Sequence, residues 1–391
     1  MVICPRMISF SVIKPLHLIR GDARTHLRFL EIPFLKSFSN ISESGIQPSQ
    51  AIDYLINKCG LSPENAVSVA KKIHLRFHNT EKPDSVLKFF ESIGFSRTHI
   101  TKLISLKPLF LFSSVDKTLK PKLKPLQDLG LSCSELAGVI SSNPGILTRS
   151  LRTQILPCLA VITSYVGTGE NVLRTLKRSG WLLSANPAER MLPNIDFLRN
   201  QNVPDSRIAY MMANQPGNLV TKPDQMKEIV ETLKELGFKP ESRLFTVGIH
   251  IMLSMSKSTW EAKIKLLKDL GWSEEQIFAA FRKYPVYMSC SEKKMRLGMD
   301  FYANALNWDA LIVSKHPKLL MFSFKERIIP RFEVWKMLLS KGLVLKEPGT
   351  LVTAWSITEE DFLEKYVKKY KDEIPDLVKV YKLRNWDDKL M

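Results

Sequence analysis

Residues 123–159 read LKPLQDLGLSCSELAGVISSNPGILTRSLRTQILPCL. In order, they contain an apolar helix that ends at Gly130, a second helix that begins at Ser132, a break at Pro144, and a basic segment. Glycine favours the left-handed conformation that ends many helices, serine caps helix N-termini, and proline cannot continue a helix. The stretch therefore predicts one helical unit of three parts.

The same order of features recurs along most of the chain. The helix-ending residues are 34 to 37 positions apart, at Gly60, Gly94, Gly130, Gly167, Asn202, Gly237 and Gly271. Asparagine is the next most frequent residue in this conformation after glycine, so Asn202 fits the series. A period near 35 residues, with helical patterns and no strand alternation of note, predicts an all-α solenoid of tandem repeats.

The second helix of each unit has its own signals. Ser132 with Glu135, and Ser273 with Gln276, have the spacing of a capping box. Apolar residues six, nine and ten positions after the helix-ending glycine or asparagine form one helical stripe. The prolines that end this helix are Pro108, Pro144, Pro216 and Pro285. Units near Gly60, Gly167 and Gly237 lack the proline and are degenerate copies, and an eighth unit with Pro317 is shortened.

The composition indicates the class of partner. Lys and Arg outnumber Asp and Glu by 57 to 39, for a formal net charge of +18. Such an excess indicates a polyanion, most often nucleic acid and next an anionic membrane surface, although a basic protein without such a partner is an alternative. No apolar run approaches the roughly 18 residues of a membrane span, so no membrane partner is expected. The five scattered cysteines indicate neither disulfides nor a zinc site.

Both ends of the chain differ from the repeats. Residues 1–45 are basic, poor in acidic residues and amphipathic, which is typical of an organellar transit peptide; an N-terminal extension without a targeting role is the alternative. Prominent arginine favours the mitochondrion over the chloroplast. The repeat array is assigned to residues 46–342, and the charged, aromatic residues 343–391 are expected to form a C-terminal helical cap.

Each complete unit has the signature Leu-Gly-apolar-Ser, an apolar helix, and then Pro with apolar residues. It reads IGFS…KPLFL at 93–111, LGLS…NPGIL at 129–147 and LGWS…YPVYM at 270–288. Over about residues 54–340 this resembles the mitochondrial transcription termination factor (mTERF) family in its land-plant form. The resemblance implies a curved superhelix of three-helix units in an organellar nucleic-acid-binding protein. It also implies a role in transcription termination, other steps of organellar gene expression, or intron splicing.

Stacked units would align their basic third segments along one face, where they can follow a phosphate backbone. Cations of this kind position a nucleic acid rather than read its bases. For any one of them, a solvated helix face is the alternative. The candidates, in order of preference, are Arg149, Arg152, Lys293, Lys294, Arg296, Lys325, Arg327 and Arg331, followed by Lys117, Lys120 and Lys122. The tryptophans Trp260, Trp272 and Trp308 are expected to pack in the core rather than stack on bases.

Signs of catalysis are few. His74 and His78 are one helical turn apart without a third metal ligand, and GTGEN at 167–171 lacks the spacing and the lysine of a phosphate loop. We therefore expect no enzyme, no metal and no cofactor. Three functions stay open: a monomeric factor that binds double-stranded DNA and regulates transcription termination, an RNA-binding factor for intron splicing or maturation, and a protein-interaction scaffold.

Overall fold

The computed structural model describes four stretches of the chain, residues 48–73, 76–167, 169–345 and 347–382. They form α-, 3-10 and π-helices joined by short loops, with no β-strand among them, which confirms the all-α prediction. The described residues fall into two compact units, one that ends at Pro223 and one that begins at Asp224. The expected transit peptide and His74 lie outside the described residues.

The N-terminal unit consists of α-helices joined in pairs, with a short 3-10 helix after most pairs. Its α-helices are α1 (Pro48–Asn57), α2 (Pro63–Ile73), α3 (Glu81–Ser92), α4 (Arg97–Leu106), α5 (Lys120–Asp128), α6 (Cys133–Ser142), α7 (Leu156–Val166), α8 (Glu170–Ser179), α9 (Leu192–Asn200) and α10 (Asp205–Asn214). Its 3-10 helices are Pro108–Phe112, Pro144–Thr148, Gly180–Ser184 and Pro216–Val220, and π-helical turns at Val115–Leu119, Leu151–Ile155 and Pro187–Met191 lead into α5, α7 and α9.

The C-terminal unit continues the same plan. Its α-helices are α11 (Pro223–Glu235), α12 (Arg243–Leu253), α13 (Lys257–Asp269), α14 (Glu274–Lys283), α15 (Glu292–Leu306), α16 (Ala310–Lys315), α17 (Ile329–Ser340), α18 (Pro348–Ser356), α19 (Glu359–Phe362) and α20 (Leu377–Lys382). Its 3-10 helices are Pro285–Ser289 and Pro317–Met321, and its π-helical turns are Phe324–Ile328 and Leu363–Lys368. No described helix is long and apolar enough to cross a membrane.

The left-handed residues that end the first helices are where the sequence predicts them. All seven have positive φ, including the non-glycine Asn202 at +64°. The series also continues through Asn307 and Gly342, which the sequence pattern did not include. At Gly94, a Cβ would lie 2.5 Å from the Cβ of Cys133, so this position needs glycine for space as well as for conformation.

The second helices begin and end as predicted. The Ser132 hydroxyl caps the Glu135 N–H, the Glu135 carboxylate accepts from the Ser132 N–H at 2.9 Å, and Ser273 with Gln276 forms the same capping box. The predicted apolar stripes are buried. The shortened eighth unit is also confirmed, because its second helix, α16, has 6 residues where α14 has 10.

The last helices of the C-terminal unit pack through an aromatic cluster. The Trp355 ring is fully buried, and its centroid lies 5.8 Å from that of Tyr302 and 5.9 Å from that of Trp308. Trp272 and Trp308 are buried, so the prediction that they pack in the core is confirmed. The exact limits expected for the repeat array (46–342) and the cap (343–391) remain predictions.

Candidate nucleic-acid interface

The basic residues do not lie on the third segment of each unit, where the sequence placed them. The 3-10 helices that follow the prolines are apolar, as in Pro144–Thr148 and Pro285–Ser289. The cations begin directly after these 3-10 helices, in the capping turn and the first turns of the first helix of the next repeat. The expected location was wrong because that helix begins earlier than its proline suggests.

A serine cap and a π-helical turn produce this early start. The Ser150 hydroxyl accepts from the Thr153 N–H at 3.2 Å, and the helix then runs from Leu151 through α7. Pro157, the second residue of α7, has no N–H, and a proline ring crowds the carbonyl four positions earlier. The turn Leu151–Ile155 widens accordingly, and the Ile155 N–H bonds to the Ser150 carbonyl at 3.0 Å.

Within each of the two units, packing between 3-10 helices places the beginnings of the first helices of neighbouring repeats at one edge. In the N-terminal unit Pro144–Thr148 packs against Gly180–Ser184, and in the C-terminal unit Pro285–Ser289 packs against Pro317–Met321. The segments that follow the 3-10 helices therefore occupy equivalent places in neighbouring repeats, although their cations do not all share one position within the segment. We call them the cationic edge of each unit: Lys117, Lys120, Arg149 and Arg152 in the N-terminal unit, and Lys293, Arg296, Lys325 and Arg327 in the C-terminal unit.

Most side chains of the cationic edges are available to a ligand. Arg149 and Arg152 are exposed and make no side-chain hydrogen bond or ion pair with any described residue. Lys120 pairs with Asp116 at 2.6 Å, but both groups are exposed, and such surface pairs contribute little. Arg327 is half-buried, with its guanidinium carbon 5.3 Å from the centroid of the Phe322 ring.

Three predicted nucleic-acid ligands point inward instead. Lys122 is half-buried, donates to the Leu147 carbonyl at 2.6 Å, and has its pKa lowered by burial. Lys294 is half-buried and donates to the Met321 carbonyl at 2.6 Å. Both amines donate hydrogen bonds to carbonyls of the 3-10 helices, so we remove Lys122 and Lys294 from the candidate ligands. Arg331 is removed as well, because its side chain is buried.

Arg331 is the clearest correction, because its side chain is 0 % exposed. Its guanidinium donates to the carbonyls of Ala354 at 2.8 Å and Ile357 at 2.9 Å, and to that of Thr358 at 3.2 Å. It also donates to the Glu359 carboxylate at 3.1 Å. A nucleic acid cannot reach this group, so the prediction that Arg331 contacts a phosphate was wrong.

These inward residues belong to a series with one member in most repeats. The first helix of the repeat supplies a buried or half-buried donor to a carbonyl within or just beyond the 3-10 helix, or at the end of α18 in the case of Arg331. The members are Lys122, Cys158, Asn194, Lys263, Lys294 and Arg331. Carbonyls at the end of a buried helix need such donors, because an unpaired buried acceptor is costly. The series escaped sequence reasoning because its residue types share only a hydrogen-bond donor.

Lys293 and Lys294 provide a direct test of inward and outward roles. We expect Lys294→Met to lower the free energy of unfolding by about 1–3 kcal/mol, because the Met321 carbonyl loses its donor. Lys293→Met should change it by less than about 0.5 kcal/mol, since Lys293 is exposed. Urea denaturation of the two variants makes the comparison; equal stabilities would show that the Lys294 contact contributes nothing.

The repeat between Gly167 and Asn202 carries features that sequence reasoning missed. Gly180 occupies the position of the proline that this repeat lacks, because it begins the 3-10 helix and a Cβ there would lie 2.7 Å from Val139 Cγ1. Aligning GWLLS with PGILT would have found this register. In this register Arg190 lies in the first turn of the next helix, as Arg152 does. Trp181, the second residue of the 3-10 helix, is 39 % exposed.

The described residues hold no group of three or more His, Cys, Asp and Glu side chains able to bind a metal ion. Cys59, Cys158 and Cys290 are buried free thiols, and burial raises the pKa of Cys59 and of Cys158 to about 12. Cys133 is exposed. The buried thiols of Cys59 and Cys158 are therefore unsuited to nucleophilic chemistry.

These features define a helical-repeat protein whose two units each present an exposed cationic edge. The mTERF family model matches residues 87–249 and 243–363, so the chain belongs to the mTERF family, and the resemblance seen in its signature is confirmed. Among curated proteins, "Transcription termination factor MTERF8, chloroplastic" of Arabidopsis thaliana is 22% identical over 192 residues. That alignment covers 48% of this chain and 38% of the relative, so it spans well under half of the relative's length.

Proposed function

We propose that this protein is an organellar factor that binds double-stranded DNA and regulates transcription termination. The cationic edge carries the proposal, because exposed Lys and Arg side chains recur in the segments that follow the 3-10 helices of the repeats. Membership of the mTERF family and the name of the plant relative, a transcription termination factor, support the same function.

The proposed binding is electrostatic and sequence-independent at this edge. Each cation that neutralises a phosphate releases counterions, and the number released sets how steeply affinity falls with salt. Arg149 and Arg152 have planar guanidinium groups that can donate two hydrogen bonds to one phosphate. The 3-10 helix that precedes these cations determines where they lie in each repeat. The edge therefore positions a duplex rather than reads its bases.

An RNA-binding role in splicing or maturation is the second candidate, and Trp181 favours it. An indole that is 39 % exposed on a 3-10 helix can stack on an unpaired base, which a duplex does not offer without distortion. The third candidate, a protein-interaction scaffold, has no feature of the described residues in its favour beyond the repeat architecture.

The proposed location is an organelle. The basic residues 1–45 favour the mitochondrion, while the plant relative is named as a chloroplast protein. A fluorescent fusion to the full chain would separate the two organelles, and a cytosolic signal would contradict both.

Binding measurements across a salt series test the function. The full chain is titrated into duplex DNA, single-stranded RNA and structured RNA of equal length, from low to moderate salt. We expect the highest affinity for duplex DNA and a linear fall of log K with log salt. A preference for single-stranded RNA would favour the second candidate, and negligible affinity for all three at low salt would contradict nucleic-acid binding altogether.

A further inference from the structure

A second basic site lies near the start of the N-terminal unit, in the segment between α2 and α3, and none of its residues belongs to the cationic edge. A cavity of about 350 Å³ opens there. Its walls are Arg76, His78, Asn79, Lys82, Pro83 and Phe112. No acidic residue is among them, so the cavity presents two permanent cations and two further polar groups to whatever enters it.

The segment that carries these groups is held in place by an aromatic anchor. Phe77 is buried, with its ring 5.3 Å from Tyr54 and 5.8 Å from Phe112, centroid to centroid, in edge-on contacts. Because Phe77 points inward, its neighbours Arg76 and His78 stand outward on either side and are exposed. The cations thus lie beside a residue that is anchored in the core.

The polar groups of the cavity have no partner within the described part of the chain. The side chains of Arg76, His78, Asn79 and Lys82 make no hydrogen bond or ion pair with another described residue. Lys82 and Pro83 belong to the first turn of α3, where Thr80 provides no side-chain cap; Glu81 and Asp84 are in the same turn but do not line the cavity. The nearby carboxylate of Asp84 accepts a hydrogen bond from the Tyr54 hydroxyl at 2.8 Å instead.

Charge and size together select the ligand. A phosphate monoester carries a charge of about −1.5 to −2 at neutral pH, whereas each backbone phosphodiester carries about −1. Two permanent cations in one cavity match the monoester better. The volume lies in the range of roughly 300–1,000 Å³ typical of small-molecule sites, so there is room for more than the phosphate itself. The half-buried Phe112 ring offers an apolar surface against which a sugar or base can pack.

We propose that this cavity binds the phosphate monoester of a nucleotide, either a free mononucleotide or the phosphorylated end of a nucleic-acid strand. In its strand-end form the proposal rests on the proposed function; in its free-nucleotide form it does not. Arg76 and Lys82 bind the phosphate oxygens, Asn79 and His78 donate hydrogen bonds, and Phe112 contacts the nucleoside.

Binding of the full chain to matched ligands tests the proposal. Fluorescence anisotropy compares 3′-labelled oligonucleotides that end in a 5′-phosphate or a 5′-hydroxyl, and 5′-labelled ones with or without a 3′-phosphate. Calorimetry measures AMP, adenosine and inorganic phosphate. We expect the phosphorylated end over the hydroxyl end, or AMP over adenosine, to bind about tenfold more tightly, since a charge-assisted hydrogen bond contributes that much or more. AMP should also bind more tightly than inorganic phosphate, because its nucleoside contacts Phe112.

Matched variants attach the preference to the cavity. Arg76→Gln with Lys82→Gln should abolish the preference for phosphate. The control, Lys58→Gln with Lys88→Gln, removes the same charge from exposed lysines of the same unit and should keep it. Circular dichroism verifies that both double variants are folded.

The outcomes separate the two ligand sources and the two proposals. Preference for a phosphorylated end identifies a strand, and AMP binding with indifferent strand ends identifies a free nucleotide. Retained AMP binding without any strand binding would contradict only the proposed function. Indifference to every monoester, equal binding of inorganic phosphate and AMP, or a cavity variant that behaves like its control would overturn the inference, even if duplex DNA still binds.

Discussion

Replacing Arg331 with methionine is expected to lower the free energy of unfolding of the C-terminal unit by about 3–5 kcal/mol. The guanidinium is buried and bridges α17 to the end of α18 through the carbonyls of Ala354 and Ile357. Methionine fills similar space but donates nothing, so these acceptors stay buried and unpaired. Urea denaturation followed by tryptophan fluorescence measures the change, because every tryptophan except Trp181 lies beyond Asp224.

Two further variants distinguish the bridge from a general effect of charge. Arg331→Lys retains the charge but cannot reproduce the planar fork, so it should recover only part of the lost stability. Arg327→Met removes a charge one turn earlier on the same helical stretch, where the side chain is half-buried and donates no hydrogen bond to a buried carbonyl. It should therefore lower the free energy of unfolding by less than Arg331→Met. If Arg331→Met were as stable as the parent chain, the assignment of Arg331 to a structural bridge would be wrong.

The features predicted from sequence are those that depend on a few neighbouring residues. A left-handed cap requires glycine or asparagine at one position, and a capping box requires two residues three apart, so Asn202 and the pair Ser132 and Glu135 were recognisable without tertiary contacts. The buried stripes depend only on helical periodicity. These local rules were enough to define the repeat and the family.

The site was harder to predict because it depends on distant partners. Lys293 and Lys294 are adjacent and chemically identical, yet only Lys294 meets a carbonyl 27 residues away. Arg331 likewise finds its acceptors 23 to 28 residues further on. The inward position does recur, because Lys122, Cys158 and Asn194 are 36 residues apart, but different residue types occupy it and so the sequence alone did not reveal it. The π-helical turns added a second error, because they move the start of the first helix ahead of its proline and carry the basic residues with it.

Neutralising four residues of the cationic edges should have the largest effect on binding. The variant carries Arg149→Gln, Arg152→Gln, Lys293→Gln and Arg296→Gln, all at exposed positions. If each cation contacts one phosphate, the slope of log K against log salt should become shallower by about 3–4 units. At 150 mM salt that corresponds to about a thousandfold loss of affinity, or roughly 4 kcal/mol. Anisotropy titrations on duplex DNA at several salt concentrations measure both quantities.

A control of equal charge decides whether position matters. Replacing Lys58, Lys88, Lys227 and Lys239 with glutamine removes the same four charges from exposed sites outside the cationic edges. Long-range attraction depends on net charge and would weaken equally in both variants, whereas counterion release depends on contact. Only the first variant should therefore show the changed slope. An identical slope in the two variants, each as stable as the parent chain, would mean that the protein's positive charge attracts nucleic acid without the cationic edges forming its binding surface.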